Sequence, residues 1–324
     1  MQLVTNNIQQ GLEKTMKGKD FLTLADLSEE QLVLLLKEAA ELKQKQKQGI
    51  PHEYLKGKTL GMIFEKSSTR TRLSFEVGMQ QLGGHGIFLS SKDLQLGRGE
   101  SISDTAKVLS RYVDGIMIRT FAHNKVEELA THATVPVING LTDDHHPAQV
   151  LADLQTIIEY KGRLKGLKVC FVGDGDNNMT HSLIEGAALS GMNISIASPK
   201  GYQPNESIVK KALKIASKNH SAITVTEDPI EAVTNADVVV TDVWASMGDE
   251  DERAERLNVF APYQVNEALC SHADKNFIFL HCLPAHRGEE VTASVIDGRH
   301  SVVFDEAENR LHAQKALLRL TMSN

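Results

Sequence analysis

Four hydroxyl groups and two arginines occupy six consecutive positions, Ser67-Ser68-Thr69-Arg70-Thr71-Arg72, directly after an apolar run. Hydroxyls and backbone amides at a starting helix, joined by a fixed cationic fork, make an anion site, and a phosphate group fits it. The bland alternative is an N-cap followed by surface arginines; the density of donors favours the anion. The stretch is not a Walker loop, because no glycine run ends in Gly-Lys-Ser/Thr. Arg119 closes the apolar segment IMIRT, where it needs a partner or water; taken alone, a structural ion pair explains it equally well. The segment TDDHHPAQ (142–149) gathers two acids and two histidines. Its spacing fits no common zinc pattern, so no metal is expected. His146, before a proline, is placed to hydrogen-bond a substrate oxygen. Gln149, three residues on, offers an amide to the same ligand.

The second half carries its own set. FVGDGDNNMTHS (171–182) opens with a Gly-x-Gly turn, but Asn178 stands where a dinucleotide fingerprint would place its third glycine. The next apolar run ends in Ser198-Pro199-Lys200, without the acid that would bind a ribose, so a nicotinamide site is disfavoured. Asp242 follows the apolar VVV and precedes Trp244; it either caps a core edge or receives a substrate ammonium. FLHCLP (279–284) puts Cys282 at the end of a buried run. A cysteine there usually behaves as a small hydrophobe, but His281 and Pro284 beside it suggest a switch from strand to loop. Arg310, in EAENRLH, is read as opening the final helix, from which it can return to an anion.

These residues need elements to position them. Ser28 and Gln31 stand in capping-box spacing before the apolar stripe Leu32, Leu35, Leu36, Ala39, Leu42, which predicts a helix ending before Gly49. Its KQKQKQ tail reads as a solvated face. Short apolar runs at 59–66, 85–90, in DGIMIRT and in VPVING alternate with helical patterns. After the long helical stretch 148–160 the alternation restarts with KVCFVGD, NISIAS, AITVTE, DVVVTDVW and NFIFLHCL, and the chain ends in an amphipathic helix. The prediction is α/β: two doubly wound parallel-sheet domains with a cleft between them. Ligands of such sheets sit at the carboxyl ends of strands, where the reactive residues fall.

Composition agrees with this organisation. A chain of 324 residues with 41% hydrophobic and 24% charged residues exceeds one ordinary core and suggests two domains. A net charge of −7, from 35 basic and 42 acidic residues, argues against a general nucleic-acid binder. No apolar run is long enough to span a bilayer. Three widely spaced cysteines, Cys170, Cys270 and Cys282, suggest reduced thiols and a cytoplasmic protein. Residues 1–15 read as a polar preface with no targeting signal, and Met16 offers an alternative start.

Taken in order, SSTRTR, the HPAQ of 146–149, DVWASMG and HCLP resemble the transcarbamoylase family over nearly the whole chain from Met16. The SMG loop with HCLP resembles its ornithine-using branch. The resemblance implies a carbamoyl-phosphate-binding domain over 1–150, with the C-terminal helix 308–324 packing back onto it, and an ornithine-binding domain over 151–307. It implies that Ser68, Thr69, Arg70 and Thr71 cradle the phosphate, with Arg119, His146 and Gln149 at the carbamoyl end. Arg310 and the carbonyls around Cys282 and Leu283 complete that pocket, and Gln95 matches a position that reaches a neighbouring subunit's site. Asn178, Asp242, Ser246 and Met247 match the amino-acid ligands. The turn GDGDNN is one residue longer than the shorter family form, which leaves Asn177 as the alternative to Asn178. A catalytic trimer, or an assembly of trimers, with shared sites is implied.

The implied reaction moves a carbamoyl group from carbamoyl phosphate to the δ-amine of ornithine, giving citrulline and phosphate. Arg119, His146, Asp242 and Cys282 would be catalytic, and no cofactor is needed because the donor is already activated. The rivals are a carbamoyltransferase for putrescine or aspartate, a dinucleotide-dependent oxidoreductase, and a catalytically silent homologue. Citrulline synthesis in arginine biosynthesis and its reversal in arginine catabolism would use the same residues.

Overall fold

The computed structural model describes residues 10–91, 94, 99–245 and 252–323. Gln95, Ser246 and Met247 lie outside the described residues. The chain divides into two compact units: one takes the chain up to Gln155 and again from Glu308, the other runs from Thr156 to Ala307.

The first unit begins with helical backbone over 10–16 (α1) and then α2 (Glu29–Lys47). The expected capping box is present: Gln31 N–H donates to Ser28 Oγ at 3.2 Å, and Ser28 N–H to Gln31 Oε1 at 3.0 Å. Four strands follow, β1 (Thr59–Phe64), β2 (His85–Ser90), β3 (Gly115–Arg119) and β4 (Val137–Leu141). Between and after them come α3 (Thr69–Gln81), α4 (Ile102–Leu109), α5 (His123–His132) and α6 (Pro147–Lys161). All pairings are parallel, in the order β2-β1-β3-β4. β1, β3 and β4 are apolar along their length because helices cover both faces of a parallel sheet. The order reverses between β1 and β3, and Phe64 pairs with Arg119 there. That switch point is where an open sheet leaves room for a ligand. It lies beside the Ser68–Arg72 segment and Arg119.

The second unit holds β5 (Lys168–Val172), β6 (Asn193–Ala197), β7 (Ile223–Thr226), β8 (Val238–Thr241) and β9 (Ile278–His281). The order is β7-β6-β5-β8-β9, again all parallel. Its helices are α7 (Asn178–Ser190), α8 (Glu206–Asn219), α9 (Pro229–Val233), α10 (Arg253–Phe260), α11 (Glu267–Cys270) and α12 (Ala293–Ile296). The reversal falls between β5 and β8, which ends one residue before Asp242. The doubly wound α/β character expected from the alternation is what both units show. Among the described residues no helix is long and apolar enough to cross a membrane.

Within the preface Thr15 Oγ1 accepts from Gln31 Nε2 at 3.0 Å, and Met16 next to it is fully buried. Two local expectations change. Arg310 does not open the last helix; α13 spans Val303–Met322, so Arg310 stands two turns inside it. The KQKQKQ tail is not wholly solvated. Lys43 is buried and donates to Asn309 Oδ1 at 2.8 Å, while Gln46 accepts from Lys315 at 2.9 Å. The reason is α13, whose inner face carries polar residues that need partners from α2. Lys315 also donates to Gln81 Oε1 at 2.8 Å and lies 3.2 Å from His52 Nε2. Burial lowers the Lys315 pKa to about 8.

His312 sits in this cationic neighbourhood. Burial first, then Lys315 and Lys43, lower its pKa from 6.5 to about 3. The unfolded chain would bind a proton near pH 6.5 that the folded chain refuses. Stability from this group is therefore present above pH 6.5 and lost progressively as pH falls. At 1.36 kcal/mol per pH unit the loss is about 2 kcal/mol by pH 5. Replacing His312 with Leu should flatten the decline in Tm between pH 6.5 and 5, read by thermal melts of both proteins across that range.

Candidate active site

In the first unit the anion segment folds as its residue types dictate. Ser68 is in extended conformation and caps α3, its Oγ accepting from Thr71 N–H at 3.2 Å. The capping hydroxyl thus also orients the helix start that follows it. Thr71 is buried, and its hydroxyl accepts from Arg310 Nη2 at 3.2 Å. Arg310 Nη1 donates to Gln149 Oε1. Oriented with its amide oxygen toward Arg310, Gln314 accepts from Arg310 Nε at 3.3 Å and Nη2 at 3.1 Å. A guanidinium that is 3% exposed is therefore fixed by three side chains from α3, α6 and α13 itself.

His146 precedes α6, and its carbonyl accepts from Gln149 N–H at 3.1 Å. Burial is the larger force holding its imidazole well below the usual pKa; the charges of Arg310, Arg119 and Arg70 act in the same direction. The four groups share one field, and His146 is neutral at pH 7. Arg119 is buried at the last residue of β3, where the pairing with β4 shifts register. Its carbonyl accepts from Glu65 N–H at 2.8 Å, tying the β1 and β3 ends together.

The ends of β1, β3 and β4 are braced outside this pocket. Lys66 pairs with Asp143 and lies over the Phe121 ring at 4.5 Å. Lys125 pairs with Glu65 at 3.0 Å, and Glu65 accepts from Thr120. Thr142 N–H donates to the His145 carbonyl at 2.8 Å, a tight turn that delivers His146 to α6. Asp143 therefore belongs to the brace and His146 to the pocket.

In the second unit Cys282 Sγ donates to Asp242 Oδ1 at 3.1 Å. Adjacent strands β8 and β9 end here in register, Thr241 opposite His281. Leu283 has φ of 56°, a left-handed backbone that its side chain disfavours. Its N–H donates to His281 Nδ1 at 2.9 Å, so the neutral ring carries its proton on Nε2, which donates to Glu290 Oε1 at 3.2 Å. Glu306 Oε2 accepts from His281 N–H at 2.9 Å. Asp242, His281 and Cys282 each bring a ligand atom within 4.8 Å of the others, a set of the type zinc takes. Both ring nitrogens of His281 are already engaged by Leu283 and Glu290, which counts against that use.

The Gly-x-Gly turn has a packing explanation. A Cβ on Gly175 would lie 2.6 Å from the Tyr202 carbonyl and 2.8 Å from Ser198 Oγ. Asn177 caps α7, accepting from Met179 N–H at 2.7 Å and Thr180 N–H at 3.2 Å. Asn178 is the first helical residue and half-buried, so its side chain is not the cap. Asp174 pairs with Arg256 at 2.7 Å. Burial raises the Asp174 pKa to about 6 against the pull of Arg256. Arg256 also donates to the Trp244 carbonyl at 3.0 Å, joining the turn to the segment that follows Asp242.

Comparison with known proteins matches residues 19–159 to the aspartate/ornithine carbamoyltransferase carbamoyl-P binding domain and residues 165–321 to the Asp/Orn binding domain of that family. The chain belongs to the aspartate/ornithine carbamoyltransferase family. It is 65% identical over 303 residues to the ornithine carbamoyltransferase of Anoxybacillus flavithermus, covering 94% of this chain and 96% of that one. With the enzyme of Bacillus subtilis the identity is 64% over 307 residues, 95% of each chain. Among solved structures, ornithine carbamoyltransferase from Pyrococcus furiosus matches with a TM-score of 0.92 and 54% identity, over 95% of this chain and 98% of that one.

The first unit brings Thr71, Arg119, His146, Gln149 and Arg310 together with Arg70; the second brings Asp242 to Cys282. Sequence reasoning missed the residues that hold them. Asp153 lies one helical turn beyond Gln149, a spacing that was available as a signal. Glu290, Glu306 and Arg256 approach from distant segments and leave no periodic trace.

Gly175→Ala should destabilise the protein by about 1–3 kcal/mol, since the added methyl meets backbone. Urea unfolding monitored by circular dichroism checks this; an unchanged midpoint would show that the turn has room.

Proposed function

We propose that the protein transfers the carbamoyl group of carbamoyl phosphate to the δ-amine of L-ornithine, giving L-citrulline and phosphate. The observation that carries this reading is the buried Arg310–Thr71–Gln149 contact beside a neutral His146, within a chain of this family. The first unit, with the C-terminal helix, holds carbamoyl phosphate. The second holds ornithine.

The neutral δ-amine attacks the carbonyl carbon, the N–C bond forms, and the C–O bond to phosphate then breaks. Charge grows on the carbonyl oxygen during attack, so donors must be aimed at it. Thr71, Arg119 and His146 serve there. A neutral imidazole donates from one nitrogen without adding a further cation among three arginines. Losing one such donor costs about 3–4 kcal/mol of transition-state stabilisation. Arg70, Arg310 and the helix start at Ser68 and Thr69 receive the leaving phosphate; the family resemblance assigns the carbonyls of Cys282 and Leu283 to the carbamoyl group. Gln95 joins this site from a neighbouring subunit.

The amine must shed a proton before it can attack. Asp242 and Cys282 orient it and assist that loss, and no thioester forms. The leaving phosphate is a second acceptor for the proton. Asn178, Ser246 and Met247 bind the amino-acid end, while Asn177 caps α7.

The working assembly is a homotrimer or a group of trimers. Support comes from the edge strand β2, which exposes Ile87 and Phe88, with Leu73 exposed on α3. An uncovered apolar edge strand is a surface for association. A cytoplasmic location is consistent with three free cysteines.

Arg70→Gly should abolish citrulline formation in a protein that still folds; near-normal turnover would remove Arg70 from the phosphate site. Cys282→Ser should lower turnover and raise the KM for ornithine, whereas a change confined to Tm would make the thiol a packing residue. The assays should compare ornithine, putrescine and aspartate as acceptors, with a mass measurement in solution for the assembly.

A further inference from the structure

Gln149 is buried on α6 with both ends of its amide engaged. Its oxygen accepts from Arg310 Nη1, and its nitrogen donates to Asp153 Oδ1 at 2.9 Å. Asp153 is fully buried one helical turn further along. A primary amide presents an acceptor at one end and two donors at the other. Its two neighbours read opposite ends. A guanidinium offers only N–H groups and takes the oxygen, while the Asp153 oxygen takes the NH2. Turning the amide over would set N–H against N–H at Arg310 and oxygen against oxygen at Asp153.

The orientation matters for the chemistry around it. Arg70, Arg119 and Arg310 are donors only, suited to phosphate and carbonyl oxygens. A carbamoyl group differs from other acyl groups in carrying an NH2, and that group needs an acceptor. The Gln149 oxygen has two lone pairs and engages Arg310 with one. When phosphate is bound Arg310 is shared with the anion, and Asp153 is the contact that continues to hold the amide.

We propose that Asp153 is a positioning residue for substrate specificity: by taking the Gln149 NH2 it presents the Gln149 oxygen to the carbamoyl NH2, so that carbamoyl phosphate is accepted over acyl phosphates lacking that group. The inference rests on the carbamoyl-transfer reading above. Asp153 touches no substrate; it acts through Gln149.

Two competitive probes separate this role from a structural one. Phosphonoacetamide and acetonylphosphonate share a phosphonate and a carbonyl and differ only in NH2 against CH3. Their inhibition constants against carbamoyl phosphate are measured in the citrulline assay for the unaltered protein, Asp153→Leu and Asp153→Asn. The unaltered protein should favour the amide probe by about tenfold or more, because a site built to pair an N–H rejects the analogue that lacks it. Asp153→Leu keeps the branched shape without an acceptor and should lower the ratio severalfold, through weaker binding of the amide probe alone. Asp153→Asn retains an acceptor oxygen and should keep most of the preference.

Equal weakening of both probes in Asp153→Leu would make Asp153 structural and overturn the proposal, as would an unchanged ratio. Should that variant fail to fold, Gln149→Leu must show the same fall in the ratio; preference retained there also overturns it. A protein that forms no citrulline defeats the activity reading itself, whereas citrulline formation with a ratio near one in the unaltered protein defeats only this inference.

Discussion

The contact between Arg310 and Thr71 joins residues 239 positions apart in the chain, and the first unit is organised around it. A guanidinium cannot be neutralised at any ordinary pH, so burying it demands acceptors on every side. Thr71 and Gln149, with Gln314 on the helix itself, supply them. This explains why the last helix is polar on its inner face. It must carry a cation into the unit, and its buried Lys315 must also be met, by Gln46 and Gln81 from α2 and α3. It also explains His146. A buried imidazole among three arginines cannot accept another proton, so it is kept in the form that can donate without adding charge.

The second unit solves a different problem. It must present one thiol and one carboxylate at the ends of neighbouring strands, and parallel pairing of β8 with β9 does this by register alone. The difficult part is the turn after Cys282, where Leu283 takes a left-handed backbone. His281 and Glu290 stabilise it by fixing a single tautomer: Nδ1 is the acceptor for the Leu283 amide, so Nε2 must donate to the buried carboxylate. His281, read from the sequence as marking a switch from strand to loop, is thereby occupied in shaping that loop.

Local pattern made the fold legible. The capping box at Ser28, the apolar runs of β1, β3, β5 and β8, and the helix start at Thr69 are all written within a few residues, and neighbouring choices agree. The candidate site residues stood out too, because they sit at strand ends as chemically conspicuous types. The supporting residues did not. Lys43 looks like a solvated lysine until Asn309 is brought to it, and Arg256 is one charge in an acidic stretch until Asp174 and Trp244 claim it. Their roles depend on contacts between distant segments, which no local period encodes. Gly175 was visible only as part of an incomplete glycine fingerprint; the crowding against the Tyr202 carbonyl that requires a glycine there again comes from a distant segment.

A net charge of −7 also conceals how charge is spent. Most cations in this chain lie on the surface, where an ion pair contributes little. Two buried arginines, Arg119 and Arg310, act with Arg70 on His146, where low polarity strengthens their field, while the buried Lys43 and Lys315 are met elsewhere by Asn309, Gln46 and Gln81. Thr71, Gln149 and Gln314 hold Arg310 through a hydroxyl and two amides. A carboxylate there would stabilise the empty protein by filling the role of the ligand, and the incoming phosphate would then have to displace it. Neutral acceptors fix the guanidinium's direction without discharging it. Asp153, which does carry a carboxyl, is set one residue further back, behind Gln149, where it can orient the amide while the amide separates it from the cation. The order Asp153–Gln149–Arg310 therefore lets a single buried chain of hydrogen bonds be both rigid and attractive to an anion.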